Sequence, residues 1–314
     1  VYPSQFNPPR INQLHISSVG GHQATMELPL GGFGISRYQF DHFLYQYARD
    51  LGVQFITRKS VQSVDFKKGQ FEITLNDQQK LQSTITIGAF GKRSVLDKSL
   101  ARPFMKKRSP YLAVKHHAKG QFPSNRISLH NFPGGYAGLS TVEDEKLNLC
   151  YLAPREALKE LGSIEQLEAR LLSKNPFLKQ ALNDLEFQFE QPLVINEVSF
   201  ASKLPVEGHI LMCGDAAGMI TPLCGNGMAM AIHSSSILAP LVTKFFNKPY
   251  YQRVELERDY TLSWNDHFKQ RMWTGRRLQK LFGGKWASAF AVNLVRNAAP
   301  FAQYLVKKTH GEIF

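Results

Sequence analysis

Cysteine is scarce in this chain: Cys150, Cys213 and Cys224 are the three among 314 residues, with neither paired nor metal-ligand spacing. That excludes a disulfide-stapled scaffold and a cysteine metal centre, and no residue is assigned to a metal. The three read as buried thiols of a reducing compartment. No apolar run approaches the 18 or so residues of a membrane span. The N-terminus carries no basic-then-apolar leader pattern. Internal repeats, low-complexity tracts and nucleic-acid motifs are absent too, so no nucleic-acid partner is expected. The expected compartment is the cytoplasm, with membrane association as a second expectation. Acid is also in short supply, 25 Asp and Glu against 38 Lys and Arg, for a net charge of +13. From Lys244 to Phe314 there are thirteen Lys or Arg against five Asp or Glu, so this tail holds most of the surplus. Such a bias suits an acidic partner, a membrane surface, an anionic ligand or a merely solvated basic face.

What is present is a chain with 43% hydrophobic residues, enough for one large or two ordinary domains. Alternation in INQLHIS and QATMEL predicts two short strands joined at Gly20-Gly21. Phe40, Phe43, Leu44, Tyr47, Ala48 and Leu51 fall at helical spacing, with Ser36 as cap and Gly52 as stop. VQFIT is expected as a buried strand. A β-meander follows, turning at Lys68-Gly69 and Asn76-Asp77 and finishing on TITIGAF. From Lys106 to Phe200, pieces such as YLAVKHHAKG, RISLHNF, GYAGLSTV and KLNLCYLA come at hairpin spacing. They predict an antiparallel sheet, interrupted by the helix SIEQLEARLLSK. HILMCGDAA returns to a buried-strand pattern, and the remainder is helical.

The fold class expected is mixed α/β (α+β): a doubly wound nucleotide-binding domain split by an antiparallel-sheet substrate domain, with C-terminal helices. The divisions are 1–30 (substrate-domain strands and linker), 31–105 (nucleotide-binding part), 106–204 (antiparallel substrate domain), 205–250 (nucleotide-binding return) and 251–314 (helical region).

The densest signal is ILMCGDAAGMITPLCGNGMAMAI, residues 210–232. A carboxylate at the end of a buried strand lies where open α/β sheets bind ligands, and Asp215 there can accept hydrogen bonds from sugar-like hydroxyls. The helix that follows offers free N–H groups and a positive dipole end. Gly225 and Gly227 admit close approach to the backbone, and Pro222 can lie flat against an aromatic ring. The uncharged segment from Met228 fits a helix buried between two domains. The plain alternative is an Asp-capped turn followed by an ordinary loop.

The string CGDAAGMITPLCGNGMAMAI resembles the second flavin-binding signature of the family of p-hydroxybenzoate hydroxylase, geranylgeranyl reductases and flavin-dependent halogenases. The resemblance implies FAD, with Gly214, Asp215 and Ala216 at its ribityl and pyrophosphate part. Pro222, Gly225, Asn226, Gly227 and Met228 would then lie at the isoalloxazine. SRYQFDHFLYQYARDLGVQF is similar to the family's Arg-x-x-(apolar)-Asp-x-x-Leu helix, which implies Arg37 toward FAD and Asp41 as its cap or network partner. TIGAFGKRSVLD resembles the strand ending in Gly-Ala-Asp-Gly. Ser60 and Val61 occupy the place where the family's backbone meets the adenine.

Two departures stand out. The family's opening G-x-G-x-x-G unit is absent from this sequence, and the reading expects roughly 50–70 further N-terminal residues, the length of a βαβ opening. Phe90 replaces the aspartate usual after the Gly-Ala strand, which weakens a standard NAD(P)H-dependent hydroxylase. Lys92 and Arg93 are candidates for phosphate contact or a solvated turn.

On the substrate side, FPGGYAG is similar to the reductase and halogenase branch. Phe132, Tyr136 and Leu139 are candidates for an apolar pocket or for sheet core. His116 and His117 point to opposite faces of a strand. Trp264, Phe268, Met272, Trp273 and Leu278, interleaved with Arg271, Arg276, Arg277 and Lys280, form a candidate membrane seat or a helix packed on the body. The expectation is an FAD-dependent oxidoreductase passing hydride to a small, apolar or unsaturated, isoprenoid- or lipid-like substrate, with NAD(P)H as candidate electron donor and no side chain assigned as catalytic. The alternatives are a monooxygenase or halogenase using NAD(P)H and oxygen, and a non-catalytic remnant binding a partner or membrane through its basic tail.

Overall fold

The computed structural model describes residues 3–106, 108–196, 198–311 and 314. The strands β1 (Arg10–Ser17) and β2 (Gln23–Phe33) lead to helix α1 (Arg37–Asp50). Then come β3 (Val61–Lys67), β4 (Gln70–Leu75), β5 (Lys80–Ser83), β6 (Ile87–Gly88) and α2 (Val95–Ser99). Next are β7 (Tyr111–Lys119), β8 (Arg126–Phe132), β9 (Gly135–Thr141) and β10 (Leu147–Pro154). Helices α3 (Arg155–Leu161), α4 (Ile164–Arg170) and α5 (Pro176–Asp184) precede β11 (Glu186–Phe187), β12 (Leu193–Ile195), β13 (Val206–Glu207) and β14 (Ile210–Met212). The chain continues in α6 (Gly227–Asn247), α7 (Arg253–Trp264), a π-turn (Asn265–Lys269), α8 (Gln270–Gln279), α9 (Lys285–Asn297) and α10 (Ala299–His310).

The described residues form two compact units. The first holds the described residues up to Phe55, Ser109–Val198 and Arg277–Lys307. Its sheet has the order β11-β7-β10-β9-β8-β1-β2, with β12 also on β7. Neighbours are antiparallel except β1 and β8, which run parallel. The β1–β2 hairpin turns at Gly21, whose φ of 85° suits glycine. Leu112, Val114, Leu147, Leu149 and Tyr151 point to one face and pack on Leu167, Leu172 and Leu178 from α4, the turn after it and α5. Ser36 caps α1 by accepting from the Gln39 N–H, as its position before the periodic run predicts.

The second unit holds Ile56–Arg108, Ser199–Arg276 and the described residues from Lys308. The meander β3-β4-β5 turns at Lys68-Gly69, both residues in the left-handed region. A small sheet β13-β14-β6 contains a parallel pair, β14 with β6, beside an antiparallel hairpin. Around it pack Phe71, Ile210, Leu211, Met212, Leu256, Tyr260, Trp264 and Phe268.

Four expectations are corrected here. VQFIT is not a strand: Val53, Phe55 and Ile56 are exposed, because no neighbouring strand among the described residues takes up their backbone groups. Residues 31–55 and 277–307 cluster with the antiparallel sheet. Strand β2 runs to Phe33 in that sheet, the Ser36 N–H donates to Glu143 Oε2, and α9 lies on β1 and β2. The helix opening at Met228 is not enclosed on all sides. Only Met230, Ser234 and Leu238, four residues apart, are buried along α6. By length and composition this helix could cross a membrane, a property that core helices share. Finally, Trp264, Phe268 and Met272 are buried core, so they form no membrane seat.

Candidate functional site

The segment from Gly214 to Gly227 is built within the second unit. Strand β14 delivers Cys213 to Gly214, whose φ of 59° is left-handed and whose N–H donates to Ser234 Oγ at 3.0 Å. A Cβ at Gly214 would stand 3.1 Å from that of Ala231 in α6. Glycine therefore serves both the turn and the approach of the helix. Asp215 follows, half-buried, in a single 3-10 turn over Gly214–Ala216. A second such turn, Pro222–Cys224, ends in left-handed Gly225 at φ 67°.

Pro222 and Gly225 are exposed, and a Cβ at Gly225 or Gly227 would meet nothing within 4 Å. Asn226 is the N-cap of α6 but makes no side-chain cap bond, so the N–H groups that open this 21-residue helix have no capping partner there. The Asn226 Nδ2 donates to Thr309 O at 2.7 Å, while its buried Oδ1 has no hydrogen-bond partner among the described residues. The helix end thus has no capping side chain and open space over Gly225 and Gly227, in the same segment as half-buried Asp215. That is a fit for a large ligand carrying hydroxyls and a negative edge.

Residues that local pattern does not reveal hold this segment. The Arg102 guanidinium, 1% exposed, donates to Asp97 Oδ1 at 2.9 Å, Ala216 O at 2.9 Å and Leu204 O at 3.2 Å, and its Nε forms an ion pair with Glu207. Lys203 Nζ donates to Lys92 O at 2.7 Å and Asp215 O at 2.8 Å, above the Phe104 ring. Burial, with Arg102 nearby, brings the Lys203 ammonium down to about 8. Lys92 is lowered by burial and by Arg93, against the opposing pull of Asp215. Lys92 and Asp215 are thus electrostatic neighbours. In α8, Gly275 lets the helix pass the bend: a Cβ there would lie 3.0 Å from Thr221 Oγ1 and 3.2 Å from Cys224 Sγ. Arg271, read from the sequence as a membrane contact, instead donates to the carbonyls of Thr309 and His310. Burial raises the Cys213 and Cys224 thiols, in keeping with unreactive buried cysteines.

The other expected positions are distributed as follows. Val61, with Ser60 before it, starts β3 in the second unit, and Ser60 exchanges hydrogen bonds with Asn76. Arg37 opens α1 in the first unit, with its Nη2 2.7 Å from Asp41 Oδ2, so Asp41 is its network partner. Phe132 and Leu139 are sheet core rather than pocket lining. Tyr136 is buried edge-on to Phe282 at 5.4 Å. His116 is likewise interior: its Nε2 lies 2.8 Å from Glu168 Oε1, which also accepts the Tyr151 hydroxyl.

The FPGG turn has a structural reason of its own. A Cβ at Gly135 would fall 2.1 Å from Leu152 O and 2.5 Å from the Phe132 ring. Gly134 N–H donates to Gly283 O, and Gly283 N–H to Asn131 Oδ1, which locks the 283 loop onto the turn. Gly135→Ala is accordingly expected to lose about 3 kcal/mol or more, the upper range for overpacking. Urea denaturation checks this, and a midpoint within error of the parent would remove the claim.

No protein-family model matches the chain. Conditioned medium factor receptor 1 of Dictyostelium discoideum is 27% identical over 129 residues, which span 40% of this chain and 24% of that protein. Among solved structures, Klebsiella pneumoniae HpxO complexed with FAD and uric acid aligns at TM-score 0.77 and 15% identity, over 96% of this chain and 81% of that one. A flavoprotein/dehydrogenase from Cytophaga hutchinsonii aligns at 0.73 and 18%, over 96% and 77%. The flavin-dependent brominase Bmp2 aligns at 0.71 and 14%, over 97% and 78%. Across nearly its whole length, this chain has the mixed α/β fold of those flavin-dependent proteins.

Proposed function

We propose that this chain is an FAD-dependent oxidoreductase. The observation that carries the reading is the Gly214–Gly227 segment, where a half-buried carboxylate, an uncapped helix end and open space above two glycines occur together. When bound, FAD supplies the two-electron redox chemistry. Asp215 accepts hydrogen bonds from the hydroxyls of its sugar chain. The N–H groups opening α6 stabilise negative charge at the ring edge. Exposed Pro222 and Gly225 leave a flat surface for the ring, Val61 of the same unit joins the proposed cofactor set, and Arg37 is carried as a cofactor residue on the resemblance alone. The electron donor proposed is NAD(P)H, and the substrate is small and apolar or unsaturated. No side chain is assigned a catalytic role. A second reading, a flavin-dependent monooxygenase or halogenase, is favoured by fold neighbours described as a flavin-dependent brominase and a flavin-dependent halogenase.

The test is flavin binding by the purified chain, followed by quenching of FAD fluorescence. Asp215→Ala removes charge-assisted hydrogen bonds of about 1.5–3 kcal/mol, so a roughly 10- to 100-fold weaker affinity is expected. A parent protein, carrying whatever residues its gene encodes before Val1, that retains no flavin, or an Asp215→Ala variant that retains it equally, would overturn the reading.

A further inference from the structure

From His267 to Gly311 the chain contains no Asp or Glu, while Lys269, Arg271, Arg276, Arg277, Lys280, Lys285, Arg296, Lys307 and Lys308 are all basic. Within this stretch α9 and α10 both lie on the edge strand β2 of the first unit. Arg296 donates to Gln23 O at 2.8 Å and Gln303 to Glu27 O at 3.2 Å, while Ser288 Oγ accepts the Val19 N–H. The inward face of α9 is Ser288, Ala291, Val292 and Val295. At 100° per residue, Trp286 and Phe290 point the opposite way. They are 86% and 58% exposed. In α10, Ala302 is buried while Phe301 and Tyr304, both 53% exposed, stack with ring centres 6.4 Å apart. By the same spacing Lys307 shares the outer face of α10 with Phe301 and Tyr304, while Lys285 and Arg296, the latter bonded to Gln23 O, are exposed at the flank of α9.

A tryptophan left almost wholly in water on a helix whose other face is well packed is not explained by folding. Large aromatic rings on helices that carry cations and no acid of their own suit one environment in particular, the boundary between acyl chains and negatively charged headgroups. The charge argument also selects against an apolar protein partner, for which an absence of acid across α9 and α10 beside Lys285, Arg296, Lys307 and Lys308 serves no purpose. We propose that the outer faces of α9 and α10 seat this protein on an anionic lipid bilayer, with Trp286, Phe290, Phe301 and Tyr304 entering the interface. This goes beyond the flavin reading and does not depend on it.

The experiment is co-sedimentation of the purified chain with vesicles of phosphatidylcholine, alone or mixed with phosphatidylglycerol at about 7:3. Binding to the mixed vesicles only is expected, and half-molar salt should weaken it. Because Trp286 and Phe290 are exposed, Trp286→Ser with Phe290→Ser should leave the far-ultraviolet spectrum and melting temperature unchanged. The same double substitution should lower vesicle partitioning at least about 10-fold, since both rings lose their burial in the interface. Brominated acyl chains should quench tryptophan emission in the parent and far less in the variant. Equal binding to both vesicle types, no binding, or an unaffected variant overturns the proposal. So does light scattering showing that the substitutions abolish a dimer instead, which would make this face a contact between copies.

Discussion

Replacing Arg102 by methionine is expected to remove about 3–5 kcal/mol of stability, the range found when one partner of a buried ion pair is deleted. The side chain is fully enclosed, and its guanidinium is shared among Asp97, Glu207 and two main-chain carbonyls. Methionine fills a similar volume but leaves Asp97, itself 0% exposed, as a buried charge without its cation. The loss also travels to the candidate site, because one of those carbonyls belongs to Ala216, directly after Asp215. Flavin affinity should therefore fall together with the urea midpoint. Replacing Arg102, Asp97 and Glu207 together by apolar residues should recover much of the stability, since the apolar substitute for a buried ion network is often no worse than the network. Recovery of stability without recovery of flavin binding would show that the arginine's bond to Ala216 O positions the turn. A midpoint unchanged in the single variant would refute the account.

How far the sequence could be read follows from the range of the interactions involved. Helix α1 was legible because its signals are local: the Ser36 cap, apolar spacing and Gly52 lie within 17 residues. The turns at Gly20-Gly21 and Lys68-Gly69 were legible for the same reason, since their left-handed backbone demands particular residues on the spot. The Gly214–Gly227 segment was legible because it packs a strand end, two left-handed glycines and a helix start into fourteen consecutive positions.

The misses are all long-range. VQFIT has the composition of a strand, but strand formation needs a neighbour, and composition says nothing of whether one is in place. The Trp264–Met272 aromatics and basics look amphipathic in one dimension. Trp264 and Met272 are buried because Gly218 lets them pack close, which depends on a residue some 50 positions away. Arg102 meets Ala216 across 114 positions, and no local pattern marks it. Phe132 and Leu139 show the opposite lesson. An apolar strand residue beside a glycine pair serves core and pocket equally well on paper, and only the helices α4 and α5 decide for the core.

Acidification should destabilise the first unit before its carboxylates titrate. His130 is buried among Ser17, which lies 2.8 Å from its Nδ1, the stacked Phe177 ring and the His15 ring 5.3 Å away. Ser17 Oγ accepts from Asn175 Nδ2 at 2.8 Å, so its own proton is available to the imidazole nitrogen, an arrangement suited to neutral histidine. Burial, and then the neighbouring His15, push His130 from 6.5 down to about 3, and His15 is lowered in the same direction by its own burial. The unfolded chain therefore binds a proton between pH 6.5 and 3 that the folded chain refuses. Stability is fully present above 6.5 and is lost as pH falls through that window, by up to about 4–5 kcal/mol at its foot. Between pH 6.5 and 5, where carboxylates contribute little, about 2 kcal/mol should disappear. Urea midpoints taken at half-unit steps would register this as a slope. His130→Gln, which keeps a polar group at the position but cannot titrate, should flatten the slope whatever its effect on absolute stability. Parallel slopes in parent and variant would mean that this histidine is protonated in the folded protein, contrary to the packing around it.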